Sequence, residues 1–177
     1  YDEKGAIVHE FATNEFTPLG DFIPNQFVNN TRYAYINTNA FIEVKPFAGL
    51  SYKSIINTTL SNSRLGQYWG AKANALRPTY AGTPHAEIDN SYSYGYTWDN
   101  VINYNKMIGA DHSLAITLVT SWNKDQDEMN TAGGSGQNLD SWSFYRLMSA
   151  QSQHIESTYS QTQRMSYAGR INYSFKD

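Results

Sequence analysis

Five separate stretches in which apolar and polar side chains alternate constrain this chain more than any other feature of it. Residues 164–176 show the pattern: Met165, Tyr167, Ile171, Tyr173 and Phe175 fall on one side, and Arg164, Ser166, Arg170, Asn172, Ser174 and Lys176 on the other. A period of two means a β-strand with one apolar and one wet face. Residues 33–45 repeat it, with Ile36, Ala40, Ile42 and Val44 against Tyr35, Asn37, Asn39, Glu43 and Lys45. Residues 50–62 set Leu50, Tyr52, Ile56 and Leu60 against Ser51, Lys53, Asn57, Thr59 and Ser61. Residues 91–106 carry Tyr92, Tyr94, Tyr96, Trp98, Ile102 and Tyr104 in one row, broken at Asn100, which predicts a bulge or a shifted register there. Residues 113–123 place Leu114, Ile116, Leu118, Thr120 and Trp122 on a single face. The fold class is all-β.

What separates the strands is uneven in a regular way. "PFAG" (46–49) and "MIGADHS" (107–113) are short turns, the first ended by a proline that cannot donate to a ladder and a glycine suited to turn angles. Residues 63–90 and 124–163 are long, without a sustained period, and read as loops; connections of that length are unusual inside a compact soluble domain. Tight turns on one side and long loops on the other describe an antiparallel up-and-down meander of the outer-membrane barrel type. The strands also exceed the common globular length of about 5 to 6 residues and reach the roughly 9 to 11 that a tilted membrane strand needs.

Composition agrees. Aromatics make up 15% of the chain, with 14 Tyr, yet the mean hydropathy is −0.58, so the rings are spread among polar residues. No stretch reaches the roughly 18 apolar residues of a membrane helix. Tyr52, Tyr104, Tyr173 and Phe175 fall near the short-turn ends, Trp98 and Trp122 toward the loop side, and Ile36, Ile56, Ile102, Ile116 and Leu118 between. An aliphatic band between aromatic girdles is what lipid interfaces select, so Ile116, Leu118, Ile171 and Tyr173 are expected to face lipid. Lys53, Asp99, Arg164, Arg170 and Lys176 then face a polar lumen. Five strands do not close a barrel, so a larger barrel is expected to supply the rest. The start at Tyr1, without a Met or a targeting segment, reads as either processing or an internal piece.

Four segments, "EFTPLGDFIPNQFVNNT" (15–31), "YAGTPHAEIDNSYSYGYTWDNVINYNK" (80–106), "GGSGQNLDSWSFYRLMSAQSQ" (133–153) and "TYSQTQRMSYAGRINYSFKD" (158–177), resemble the barrel of SusC-like TonB-dependent transporters, the glycan importers of the Bacteroidetes outer membrane. The resemblance implies about 22 strands around a plugged lumen. It also implies a SusD-like lipoprotein lid over the loops, a glycan substrate, and a TonB complex acting on parts of the protein not contained in this chain.

Sugars offer flat CH faces and hydroxyl rims, which aromatic rings and planar polar groups match. Tyr68, Trp69, Arg77 and Tyr80 in one loop and Gln137, Asn138, Asp140, Trp142, Tyr145 and Arg146 in the other are of those types. Trp69, Tyr80, Trp142 and Tyr145 are the candidate ligand contacts, with packing within the loops or against the lid as the competing role. "SWSFYRLM" (141–148) predicts a short amphipathic helix with Trp142, Tyr145 and Leu147 or Met148 inward. "GGSG" (133–136) lacks the lysine and the strand-to-helix context of a phosphate cradle and reads as a loop tip.

No catalytic or metal site is expected. Asp89, Asp99, Asp125, Asp127, Glu128 and Asp140 are not held in a defined pair, "NKDQDEM" (123–129) reads as a solvated loop, and His9, His85, His112 and His154 are scattered. A net charge of −3 without a basic cluster makes nucleic acid a poor partner, and the chain has no cysteine for disulfides or thiolate ligands. From the residues alone, a soluble carbohydrate-binding β-sandwich remains the alternative architecture, and a glycosidase the alternative activity.

Overall fold

A computed structural model describes residues 4–5, 18–73 and 82–176. After a 3-10 turn at Pro18–Phe22 come five strands, β1 (Phe27–Phe47), β2 (Leu50–Trp69), β3 (His85–Ile108), β4 (His112–Ser135) and β5 (Ser152–Phe175), with a second 3-10 segment at Asp140–Ser149 between the last two. The strands lie in one sheet in sequence order, β1-β2-β3-β4-β5. Each therefore pairs with its chain neighbours in an antiparallel up-and-down meander. A sandwich would need a second sheet, and among the described residues all five strands belong to the first.

The strands are longer than their apolar alternation. β3, β4 and β5 each run to 24 residues. The strands extend into both expected long loops, β2 to Trp69, β3 from His85, β4 to Ser135 and β5 from Ser152, so that "NKDQDEM" is strand. The reason is chemical: past Trp122 the alternation of β4 becomes polar against polar, as in "NKDQDEMN", so no hydrophobic period marks a strand wetted on both faces.

Two compact units divide the sheet along its strands: Tyr35–Ser61, Tyr92–Asp127 and Tyr159–Asp177 form the turn-side unit, and Tyr1–Ala34, Asn62–Ser91 and Glu128–Thr158 the loop-side unit. In the turn-side unit the register follows from cross-strand bonds. Ser121 Oγ donates to Asp99 at 2.5 Å, Thr117 Oγ1 to Asn103 at 2.8 Å and Asn123 Nδ2 to Thr97 at 3.2 Å. Asn37 bonds Thr59, and Asn39 bonds Asn57. These polar residues share the odd-numbered face of β1 to β4. The even-numbered face of those strands carries Ile36, Ile42, Ile56, Ile102, Ile116 and Leu118. On β5 the parity reverses, since Leu118 reaches Gly169 and His112 reaches Tyr173.

Asn100 does not interrupt its row. It accepts a 2.6 Å bond from the Tyr52 hydroxyl, while Trp98 Nε1 donates to Ser54 at 2.8 Å, which keeps Trp98 and Asn100 on one face. No bulge is needed, because a neighbouring tyrosine supplies the partner this amide requires. Gly49 closes the β1–β2 turn at φ +90°; its carbonyl takes the Asn105 N–H at 2.8 Å, and a Cβ there would strike the Asn105 carbonyl.

A single layer cannot bury its own apolar face. Ile42 is 69% and Ile171 71% exposed, and Leu118 is exposed as well. Among the described residues the buried hydrophobic ones, Tyr68, Ala73, Ala86, Phe144 and Ala150, all lie in the loop-side unit.

Candidate functional site

The chemistry-bearing residues gather in the loop-side unit, on two sides of the strand ends. Even-numbered Val28, Tyr68, Ala86 and Ile88 surround Phe144 and Leu147 of the Asp140–Ser149 segment. Odd-numbered Phe27, Trp69, His85 and Glu87 point the other way. Adjacent residues on a strand face opposite sides, so Tyr68 and Trp69 serve different assemblies.

On the odd side a row of rings crosses the sheet. Phe27 of β1 lies 6.4 Å from Trp69 of β2, Trp69 lies 5.6 Å from His85 of β3, and His85 lies 6.2 Å from His154 of β5, the two imidazoles only 5° from parallel. β4 stands between β3 and β5 and contributes Gly133, where any Cβ would land on the His154 ring. The "GGSG" stretch is thus not a loop tip: Gly133 and Gly134 are buried in β4, the first leaving the gap that lets the histidines approach. Glu87 takes both, with Oε2 at 3.5 Å from His85 Nε2 and 3.6 Å from His154 Nε2. His85 is only 4% exposed. Burial, helped by the neighbouring His154, holds its imidazole below the ordinary range against the opposing pull of Glu87.

On the even side the second 3-10 segment is fastened down. Asp140 accepts the Tyr68 hydroxyl and the Gln26 amide, both at 2.6 Å. Burial, then the bond and charge of Asp140, push the Tyr68 hydroxyl well above its ordinary range, so it stays a donor. The Phe144 ring covers Gly66, where a Cβ would sit 2.6 Å from the ring, and Arg64 flanks Phe144 at 5.3 Å and Tyr145 at 5.5 Å.

The expected site residues are therefore divided. Trp69 ends β2 instead of lying in a loop, and it meets Phe27 and His85. Tyr80, with Arg77, lies outside the described residues. Trp142 is partly exposed with Arg146 at 4.5 Å over its ring, and Tyr145 is 66% exposed. The segment is not the amphipathic helix expected: Ser143 and Arg146 have non-helical angles, and Phe144 and Leu147 turn inward. The kink at Ser143 breaks the 3.6-residue phase on which the helical reading rested.

In the turn-side unit, Lys53 sits 4.4 Å over the Phe41 ring, Asp99 accepts Ser121, and Arg170 Nε donates to Asn172 at 3.1 Å. These three share the polar face. Ile116, Leu118, Ile171 and Tyr173 share the apolar one, where the Tyr173 hydroxyl lies 2.6 Å from His112 Nδ1. Among the described residues no His, Asp or Glu group is arranged to hold a metal ion, and no helix is long and apolar enough to cross a membrane.

Sequence reasoning missed His85, Glu87, Gly133 and His154 as a group. They are distant in the chain and meet only when β3, β4 and β5 pair in the observed register. The one local signal was a paired glycine in a strand-length polar run, which marks a close approach.

No protein-family model matches the chain, and no curated protein matches it in sequence. Solved structures do. The RagAB peptide importer in its open-open state superposes with a TM-score of 0.77 at 16% identity, over 98% of this chain and 19% of that one. The same importer in its closed-closed state gives 0.74 at 16% identity, over 88% and 17%. A further structure, of the RagAB peptide transporter, gives 0.74 at 16%, over 87% and 17%. The chain spans less than a fifth of the length of the solved chains it matches.

Proposed function

Starting from a chain that folds like a barrel segment of the RagAB importers, we propose that it is one wall of a SusC-like, TonB-dependent transporter in a bacterial outer membrane. The observation that carries this reading is the single sheet with one unpartnered apolar face. A soluble protein must cover such a face, whereas a barrel turns it to lipid. Ile116, Leu118, Ile171 and Tyr173 are then the lipid contacts, and Lys53, Asp99 and Arg170 line the wet interior. The two bare edges, on β1 and β5, pair with further strands of the same barrel.

The transported cargo in this proposal is an oligosaccharide, admitted under a SusD-like lipoprotein lid and released inward when the TonB complex acts on a plug. The ring row supports it: Phe27, Trp69 and His154 lie along one side of the sheet as rings with some exposed surface, with the Glu87 carboxylate beside His154 as a hydroxyl acceptor. This chain's share of the work is binding and guidance, with no bond made or broken. The peptide cargo of the RagAB importers supplies the competing class.

Uptake of a labelled oligosaccharide and of a labelled oligopeptide by cells carrying the full-length protein, with and without Trp69→Ala, tests this. Loss of one stacked ring is worth about 1 kcal/mol, or about five-fold in affinity. Oligosaccharide uptake that falls by that factor fits the proposal. Peptide uptake that falls while sugar is not taken up reassigns the cargo, and uptake of neither abandons the importer.

A further inference from the structure

The Asp140–Ser149 segment is well seated at two points and badly seated at two others. The good seats are the Asp140 carboxylate, with its bonds from Tyr68 and Gln26, and the Phe144 ring in its slot over Gly66. Between them Ser143 adopts φ +49°, ψ −144°, a region essentially reserved for glycine. The residue is also only 9% exposed, with a hydroxyl that finds no hydrogen-bond partner. Gln137, at the entry to the segment and 4% exposed, spends its amide N–H on the Arg146 carbonyl at 3.4 Å and leaves its Oε1 unpaired. Each of these is a standing cost of the docked conformation that vanishes once the segment lifts and its polar atoms reach water.

Strain and unpaired polar atoms at Gln137 and Ser143, balanced by one carboxylate and one ring, describe an element with two resting places. We propose that Asp140–Ser149 is a releasable strap. Docked, it fills the slot bounded by Gly66, Arg64, Tyr68 and Ala86 with its own Phe144. Released, it bares that ring-sized slot beside the Arg64 guanidinium. The backbone bonds near its ends, Gly136 N–H to Pro84 O at 2.8 Å and Ala150 N–H to Leu147 O at 3.0 Å, place the hinges at the two ends of the strap.

The test is amide hydrogen exchange on the full-length protein in lipid. Exchange across residues 139–149 is divided by that of the β4 amides 113–123, so that general loosening of the barrel cancels. Ser143→Gly accepts the observed angles and removes the unpaired hydroxyl, and should slow the strap's relative exchange about ten-fold. Ser143→Ala removes only the hydroxyl and should slow it about three-fold. Phe144→Ala should speed it. Unchanged or faster exchange in Ser143→Gly would overturn the proposal, because a segment without stored strain gains nothing from that glycine.

Discussion

Replacing Leu118 with arginine should unfold the barrel more easily by an amount that its depth sets. His112, whose ring lies 4.8 Å from Phe175 and 5.9 Å from Tyr173, marks the aromatic end of β4 at the turn side, which the proposed barrel sets at the lipid interface. Leu118 lies six positions further along the strand. At about 3.4 Å per residue and a tilt of roughly 40°, that places it about 16 Å deeper, and Ile116 about 10 Å. An apolar band about 25 Å tall has its middle at about 12 Å, so the two residues bracket the midplane. Arginine there costs about 2–4 kcal/mol. Val119→Arg, one residue on and on the polar face, should cost less than about 1 kcal/mol. Urea unfolding of the full-length protein in lipid vesicles, followed by tryptophan fluorescence, measures both. Equal costs for the two variants, or a cost for Leu118→Arg below about 0.5 kcal/mol, would refute lipid contact on the even face.

Two further outcomes concern the ring row. Gly133→Val puts a branched side chain where the His154 ring lies and should destabilise by about 1–3 kcal/mol through overpacking, with faster hydrogen exchange at 128–135 and 152–158. His85 predicts a pH dependence with a definite sign. Its folded pKa lies below the unfolded value, so its contribution to stability is intact above about pH 6.5 and is lost as pH falls toward the depressed folded value. The slope from this one proton cannot exceed about 1.4 kcal/mol per pH unit. Comparing urea midpoints at pH 7.5 and 5 for the native protein and His85→Gln checks this, since the variant should lose that part of the slope.

How much of this was legible beforehand follows from where water lies. Period-two alternation marks five strands in an up-and-down order, because one face of residues such as Ile116 and Leu118 is apolar and the other, as at Asp99 and Ser121, is not; their register, left open at Asn100, appears only in cross-strand pairs such as Tyr52–Asn100 and Ser121–Asp99. Where both faces are polar the signal vanishes, so the loop-side third of β2 and the loop-side halves of β4 and β5 read as loops. Asn100 looked like a break because a lone amide in an aromatic row has no visible partner until β2 brings Tyr52 alongside. Trp69 is legible as a ring of the right type, but its neighbours Phe27 and His85 come from two other strands, and His154, beyond His85, from a third; they meet only through pairing. The Phe144 seat depends on Gly66 being bare, a relation between two residues that no local pattern contains.

The central claim, that this chain is one wall of a larger outer-membrane barrel, is tested most directly by finding the native polypeptide. An antibody raised against residues 133–146 is applied to separated soluble, inner-membrane and outer-membrane fractions of the source cells. The account predicts a band in the outer membrane several times heavier than the 20.0 kDa of this chain. A 20.0 kDa band in the soluble fraction would contradict it.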